Sequence, residues 1–194
     1  MERIGIYGGT YSPPHIGHLK AAEYAIDACG LDRLLLIPTG VSPHKAMSAG
    51  ATSADRLEML RLSAAGMEKA EVSDIELRRE GHSYTVDTLR AIRAENPGAE
   101  LVLLMGTDMF TSFMTWREPE SIMELATLAV FCRGEKGEAA KIEAQKIALE
   151  SLGAKIELVE NPVTAISSTD LRRMLVFGWQ TPQNLTLSGT IRSI

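Results

Sequence analysis

Two histidines, His15 and His18, stand three residues apart just after Gly8-Gly9-Thr10-Tyr11-Ser12-Pro13-Pro14. Residues at that spacing in the first turn of a helix face the same way, so both imidazoles would point at whatever the glycines hold. Gly8 and Gly9 carry no Cβ, which lets the backbone take positive φ or lets a ligand come close. Pro13 and Pro14 fix φ and stiffen the loop. Arg3 to Tyr7 before it is apolar and strand-like, and Ile16 to Cys29 after it places Leu19, Ala22, Ile26 and Cys29 on one helical stripe. Strand, glycine-rich turn and helix together turn free backbone N–H groups and the positive end of a helix towards a phosphate. Two plainer readings are a zinc pair and a cap beside a surface histidine. The first lacks any Cys/His cluster elsewhere to complete a site.

A second group of candidates lies far along the chain. Ser167-Ser168-Thr169 opens a helical stretch with three hydroxyls, and Arg172 follows one turn later. Hydroxyls, free N–H groups and a guanidinium make a pyrophosphate clamp, although the hydroxyls alone serve equally well as an N-cap. Arg173 reads as a solvated charge. Taken singly, Lys45 is an ordinary surface lysine, Asp108 a helix cap and Trp116 a core or interface aromatic.

The elements that must position these residues alternate. Strands are expected at Arg3–Tyr7, Leu34–Ile37, Glu71–Ile75, Leu101–Met105, Leu128–Cys132 and Ile156–Val159. Between them, a helix capped by Ser53 turns Leu57, Leu60 and Ala64 inward, and another runs from a Ser83 cap to about Ala94. A broken helical stretch reaches Leu125, and helices follow at Glu138–Leu152 and Ser167–Phe177. Strand–helix alternation with right-handed crossovers predicts an α/β fold, a doubly wound parallel sheet. Ligands of such sheets sit beyond the carboxyl ends of the strands. The distinctive residues gather there: Gly8-Gly9-Thr10 after the first strand, His44-Lys45 after the second, Gly106 and Asp108 after the fourth. Arg133 follows the fifth and Ile166 to Thr169 the sixth.

A length of 194 residues fits one domain, expected over 1–177, with 178–194 an atypical tail of turn residues without helical period. A net charge of −5 argues against a general nucleic-acid binder. Cys29 and Cys132 sit in apolar patterns and read as buried thiols, which suits a reducing compartment. No secretory leader and no run of 18 apolar residues is visible. The expectation is a cytoplasmic protein with no membrane partner.

Residues 8–18 resemble the Gly-Gly-Thr-Phe-x-Pro-x-His-x-Gly-His motif of the nucleotidyltransferase superfamily. Tyr11 replaces the usual Phe, and Ser12 stands where Asp or Asn is commoner. Ile166 to Arg172 resembles its second signature, Ile-Ser-Ser-Thr-x-(Ile/Leu)-Arg, and Lys45 its Pro-His-(Lys/Arg) loop. Arg133 matches the arginine closing a strand, with Gly134-Glu135 where Pro-Gly often follows. Ser83-Tyr84-Thr85, Gly106-Thr107-Asp108 and Phe113 to Trp116 are similar to segments of the nicotinate-nucleotide adenylyltransferase family.

The resemblance implies a Rossmann-like nucleotidyltransferase fold and transfer of AMP from ATP to nicotinate mononucleotide. It implies His15, His18, Lys45 and Arg172 as catalytic. ATP would be held by Gly8, Gly9, Thr10, His15, His18, Gly106, Arg133, Ile166, Ser167, Ser168, Thr169 and Arg172. Nicotinate mononucleotide would be held by Lys45, Tyr84, Thr85, Asp108 and Trp116. Mg²⁺ would travel on ATP with no dedicated protein site, the partners would be these small molecules rather than nucleic acid, and a homo-oligomer is compatible. The alternatives are a sister enzyme acting on pantetheine phosphate or nicotinamide mononucleotide, a cytidylyltransferase, and a non-catalytic nucleotide sensor. An NAD-dependent dehydrogenase is disfavoured: the first turn lacks Gly-x-Gly-x-x-Gly, and Leu34 to Ile37 ends in Pro38 rather than an acid.

Overall fold

The short apolar runs become strands buried on both faces. In a computed structural model describing residues 1–41, 51–132, 138–160, 168, 169 and 171, β1 (Arg3–Gly9), β2 (Arg33–Pro38), β3 (Ala70–Val72), β4 (Glu100–Gly106), β5 (Ala126–Cys132) and β6 (Ile156–Glu160) form one sheet. All its pairings are parallel and its order is β3-β2-β1-β4-β5-β6. The expected α/β doubly wound sheet is therefore present.

Strand alternation divides the core. Ile4, Ile6, Leu35, Ile37, Leu101, Leu103 and Leu128 face one way, onto α3 (Thr85–Glu95), α4 (Thr107–Thr111), α5 (Pro119–Leu125) and α6 (Glu138–Ser151). Leu34, Leu36, Val102, Leu104 and Ala129 face the other, onto α1 (Ile16–Ala28) and α2 (Ser53–Ala64). Each such Leu or Ile contributes about 1.5–3 kcal/mol by leaving water. At the amino edge of the sheet, Arg3 on β1 pairs with Glu100 on β4 at 3.1 Å and with Glu157 on β6 at 2.7 Å, which ties three strands together.

Several local expectations are corrected. Thr52, not Ser53, caps α2: its hydroxyl accepts from the Asp55 N–H at 3.1 Å, and the Asp55 carboxylate accepts from the Thr52 N–H at 2.8 Å. The reciprocal bond, available only with the acid three residues on, decides the register. Leu57 is half-buried, and the inward stripe of α2 is Arg56, Met59, Leu60 and Ala64. β3 stops at Val72 because the Asp74 carbonyl accepts from the N–H groups of Leu77 and Arg78 and turns the chain. Tyr84, not Ser83, occupies the N-cap of α3. Cys29 is buried while Cys132 is half-buried, its thiol donating to the Val130 carbonyl at 3.6 Å. The break before α5 has a local cause: Pro119 bars its predecessor from helical geometry. Glu118 takes φ 52°, and the Arg90 guanidinium holds its carboxylate at 2.6 Å. Among the described residues, no helix is long and apolar enough to cross a membrane.

Gly40 is where two segments close on each other. A Cβ there would lie 2.8 Å from the Glu76 carbonyl oxygen and 2.9 Å from the Ser83 hydroxyl, whereas one on Gly98 meets no described atom within 4 Å. Gly40→Ala should therefore cost about 1–3 kcal/mol by overpacking and Gly98→Ala well under 1 kcal/mol, measured by urea denaturation.

Candidate active site

Strand order reverses between β1 and β4, and a cleft opens at their carboxyl ends, the ordinary ligand position of such sheets. Its walls are Tyr7, Gly8, Gly9 and Thr10 from β1 and its turn, and Leu104, Met105 and Gly106 from β4. Thr39, Glu76, Ser83, Thr85, Thr88, Met109 and Trp116 complete them. A Cβ on Gly8 or Gly106 would meet no described atom within 4 Å, so both glycines leave space for a ligand rather than for neighbouring side chains. Positive φ falls on Tyr11, at 46°, and not on Gly8 or Gly9, which remain within β1. Tyr11 is fully buried and its hydroxyl donates to the Tyr7 carbonyl at 2.8 Å, so the turn is folded around this ring.

The two histidines are in contact. His15 is the N-cap of α1 and His18 lies three residues on, their rings stacked with centroids 3.6 Å apart. The backbone N–H of His15 donates to His18 Nδ1 at 3.2 Å. Nδ1 therefore carries the lone pair, and the proton of the neutral ring is on Nε2. Burial against Tyr11, with the nearby His15 ring adding to it, lowers the His18 pKa to about 3. His18 keeps partial exposure, both causes act in the same direction, and neither it nor His15 is among the residues lining the cleft. At neutral pH His18 is thus an uncharged donor presenting Nε2–H.

Ser168 reaches this turn. Ser168 Oγ donates to the Pro13 carbonyl at 2.9 Å across 155 residues of sequence, so the two segments lie on one face of the molecule. Thr169 beside it is exposed and Leu171 fully buried. Lys45, Arg133, Ile166, Ser167, Arg172 and the tail 178–194 lie outside the described residues.

On the far wall, Thr85 is the first residue of α3 and lines the cleft, placing its hydroxyl and the free N–H groups of a helix start there. Trp116 lines the same wall, braced by Phe113 at 5.6 Å between ring centroids. Tyr84 turns its ring under the Arg117 guanidinium, 4.5 Å from the centroid. Asp108 is exposed in the first turn of α4 and is not among the residues lining the cleft.

Sequence reasoning missed two groups here. Glu76 is buried in the wall and accepts from the Thr88 hydroxyl at 2.9 Å, while the Ser83 hydroxyl accepts from the Gly40 N–H at 3.1 Å. Burial raises the Glu76 pKa against the opposing bonds from Thr88 and Ser83 and the charge of Arg79. No periodicity flags an acid in a loop. The second group is Arg56, fully buried, whose Nη1 donates to the Thr10 carbonyl at 2.8 Å. A signal existed for it: Arg56, Leu60 and Ala64 share one helical face, so a charged residue occupies an apolar stripe.

The cytidylyltransferase-like family model matches residues 6–174. A protein of Synechococcus sp. (strain JA-3-3Ab), named "Probable nicotinate-nucleotide adenylyltransferase", is 38% identical over 182 residues, covering 92% of this chain and 85% of that protein. One of Marinobacter nauticus with the same name is 39% identical over 201 residues, covering 97% and 92%. Among solved structures, Plasmodium falciparum nicotinic acid mononucleotide adenylyltransferase complexed with NaAD superposes with a TM-score of 0.76 at 17% identity, covering 98% of this chain and 93% of that one. At that identity the last likeness speaks for the fold alone. By the extent of these matches, the chain belongs to the cytidylyltransferase-like family and, within it, to the nicotinate-nucleotide adenylyltransferases.

Proposed function

We propose that this chain transfers AMP from ATP to nicotinate mononucleotide, forming deamido-NAD⁺ and releasing pyrophosphate. The observation that carries the reading is the meeting of the Pro13 turn, the locked His15–His18 pair and Ser168 at the β1–β4 switch point. The acceptor's 5′-phosphate oxygen attacks the α-phosphorus in line. The new P–O bond forms as the bond to the β-phosphate oxygen breaks, and the electron pair leaves on pyrophosphate. The nucleophile is already an anion, so the protein supplies positioning and charge stabilisation rather than a strong base.

Neutral His18 suits that task, because its Nε2–H donates to a phosphoryl oxygen without exchanging a proton. Ser168, Thr169 and the α1 start would hold the β- and γ-phosphates, with Lys45, Ser167 and Arg172 as their charged and hydroxyl partners. Arg133 and Ile166 would border the nucleotide, and Asp108 a ribose. On the acceptor side, the Thr85 hydroxyl and the N–H groups of the α3 start take the nicotinate carboxylate, and the Trp116 indole takes the flat pyridine ring. Donors aimed at a carboxylate disfavour the amide analogue, whose NH₂ cannot accept. The divalent cation is assigned to the triphosphate as Mg²⁺. Among the described residues no three His, Cys, Asp or Glu side chains converge, and oxygen-bound Mg²⁺ commonly travels with phosphates. Its contribution there is to offset charge on the leaving group.

Pyrophosphate release with ATP and a panel of acceptors tests the whole reading. Nicotinate mononucleotide should give the highest kcat/KM, above nicotinamide mononucleotide and pantetheine phosphate. A higher kcat/KM with either of the others overturns the acceptor assignment, and ATP binding without turnover on any acceptor overturns the enzyme. His18→Ala should lower kcat by about a hundredfold or more with an unchanged circular-dichroism spectrum. Trp116→Ala should raise KM for nicotinate mononucleotide about tenfold and leave KM for ATP within about twofold.

His18 also sets a pH dependence of stability. Its folded pKa of about 3 lies below the ordinary 6.5, so between those values the unfolded chain binds more protons. Stability therefore falls as pH drops through 6.5 towards 3, by at most about 1.4 kcal/mol per pH unit for one site. His18→Asn keeps an acceptor for the His15 N–H but cannot titrate. Its urea midpoint should fall less than that of wild type between pH 7.5 and 4.5, and equal falls would mean His18 is not held neutral.

A further inference from the structure

Arg56 is the largest fully buried side chain among the described residues, and it carries a charge. It stands on the inward stripe of α2, one turn before Leu60 and two before Ala64, where an aliphatic residue would ordinarily sit. Its guanidinium has five N–H donors. Nη1 donates to the Thr10 carbonyl at 2.8 Å and Nη2 to the Ser53 hydroxyl at 3.2 Å, while Nε–H has no acceptor among the described residues. Among the described residues no carboxylate pairs with it. Arginine does not shed its proton in proteins, so this is a cation held out of water with no counter-charge among the described residues. Buried charges are ordinarily paired, because leaving one alone is costly.

The place of that charge gives it a use. Thr10 lines the cleft immediately after the strand that ends in Gly8 and Gly9, so Arg56 sits one peptide unit behind the wall expected to face the phosphates. Ser53 is the first residue of α2, next to the Thr52 cap, so the same guanidinium fastens the start of α2 to the glycine-rich turn.

We infer that Arg56 is an electrostatic positioning residue for the nucleotide's triphosphate: it pins the Thr10 carbonyl before ATP arrives, and the anionic phosphates supply a counter-charge that no described carboxylate provides. This rests on the adenylyl-transfer reading for its ligand and adds a residue that the signature motifs do not contain. A purely structural tie would need the two hydrogen bonds but not the charge, and the two roles separate experimentally.

The full chain is compared with Arg56→Lys, Arg56→Gln and Arg56→Met. Calorimetric binding of Mg-ATP and of inorganic tripolyphosphate is measured together with steady-state kinetics. Arg56→Gln, which keeps a donor for Thr10 without the charge, should lose about tenfold or more in affinity for both ligands. KM for nicotinate mononucleotide should stay within about twofold, and Arg56→Lys should recover most of the loss. Arg56→Met should resemble Arg56→Gln; if it does not fold, the Lys–Gln pair still decides. Wild-type affinity for tripolyphosphate in Arg56→Gln overturns the inference. So does an equal loss in Lys and Gln with both KM values and kcat moving together, which marks a structural tie. Wild type that binds tripolyphosphate but turns over no acceptor sinks the adenylyl-transfer reading and leaves the Arg56 comparison standing.

Discussion

β1 lies between β2 and β4, and everything at the site follows from the reversal this imposes. The chain leaves β1 towards the α1–α2 face and leaves β4 towards the face of α3 to α6. The described helices that follow the two strands pack on opposite faces, so the sheet opens a cleft between the strand ends. Gly8 on one lip and Gly106 on the other keep that opening clear of Cβ atoms. The fold thus makes the cavity, and side chains only decide what it accepts.

What they decide depends on polar atoms being committed before a ligand arrives. The His15 N–H is spent on His18 Nδ1, the Tyr11 hydroxyl on the Tyr7 carbonyl, Ser168 on the Pro13 carbonyl and Arg56 on the Thr10 carbonyl. Every one of these bonds ends on the segment from Tyr7 to His18. A glycine- and proline-containing turn would otherwise cost conformational entropy to order at each binding event. Here folding has already met that cost, which is the form preorganisation takes when donors must match developing charge. The opposite wall is treated alike: Gly40, Ser83, Thr88 and Glu76 bond to one another and hold the start of α3 against the cleft.

Much of this was legible in the sequence. The strands were, because runs such as Leu101 to Met105 are apolar without alternation, as burial on both faces requires. The contact of His15 with His18 was, because residues three apart at a helix start are neighbours. Caps were misread at Ser53 and Ser83 for one reason: several hydroxyl residues compete, and the winner is set by partners that spacing alone does not reveal. Thr52 wins through Asp55, while Ser83 is taken by Gly40, 43 residues away. The positive φ on Tyr11 was hidden too, since the glycines beside it looked the natural place for it and only tertiary packing of the Tyr11 ring overrides that. Glu76 was invisible as a site residue because its burial depends on segments far away in sequence, whereas Arg56 left one signal, a charge on the apolar stripe of α2.

Burial acts on His18 and Arg56 in the same direction, towards the neutral form, and the outcome differs because their chemistry differs. Imidazole can give up its proton, so desolvation leaves His18 an uncharged donor with its tautomer fixed by a backbone N–H. Guanidinium cannot, so desolvation leaves Arg56 a charge whose field is little screened by water. Both adjoin one turn, so under the proposed reading the first would contribute direction without charge and the second charge without contact. A polyanion entering the cleft needs both, because hydrogen bonds orient individual oxygens while only net positive charge offsets the repulsion of collecting them in one place. An all-neutral lining would orient the phosphates but leave that repulsion standing. An exposed arginine on the turn would offset it, but water would screen the charge and the flexible side chain would have to be ordered at every turnover.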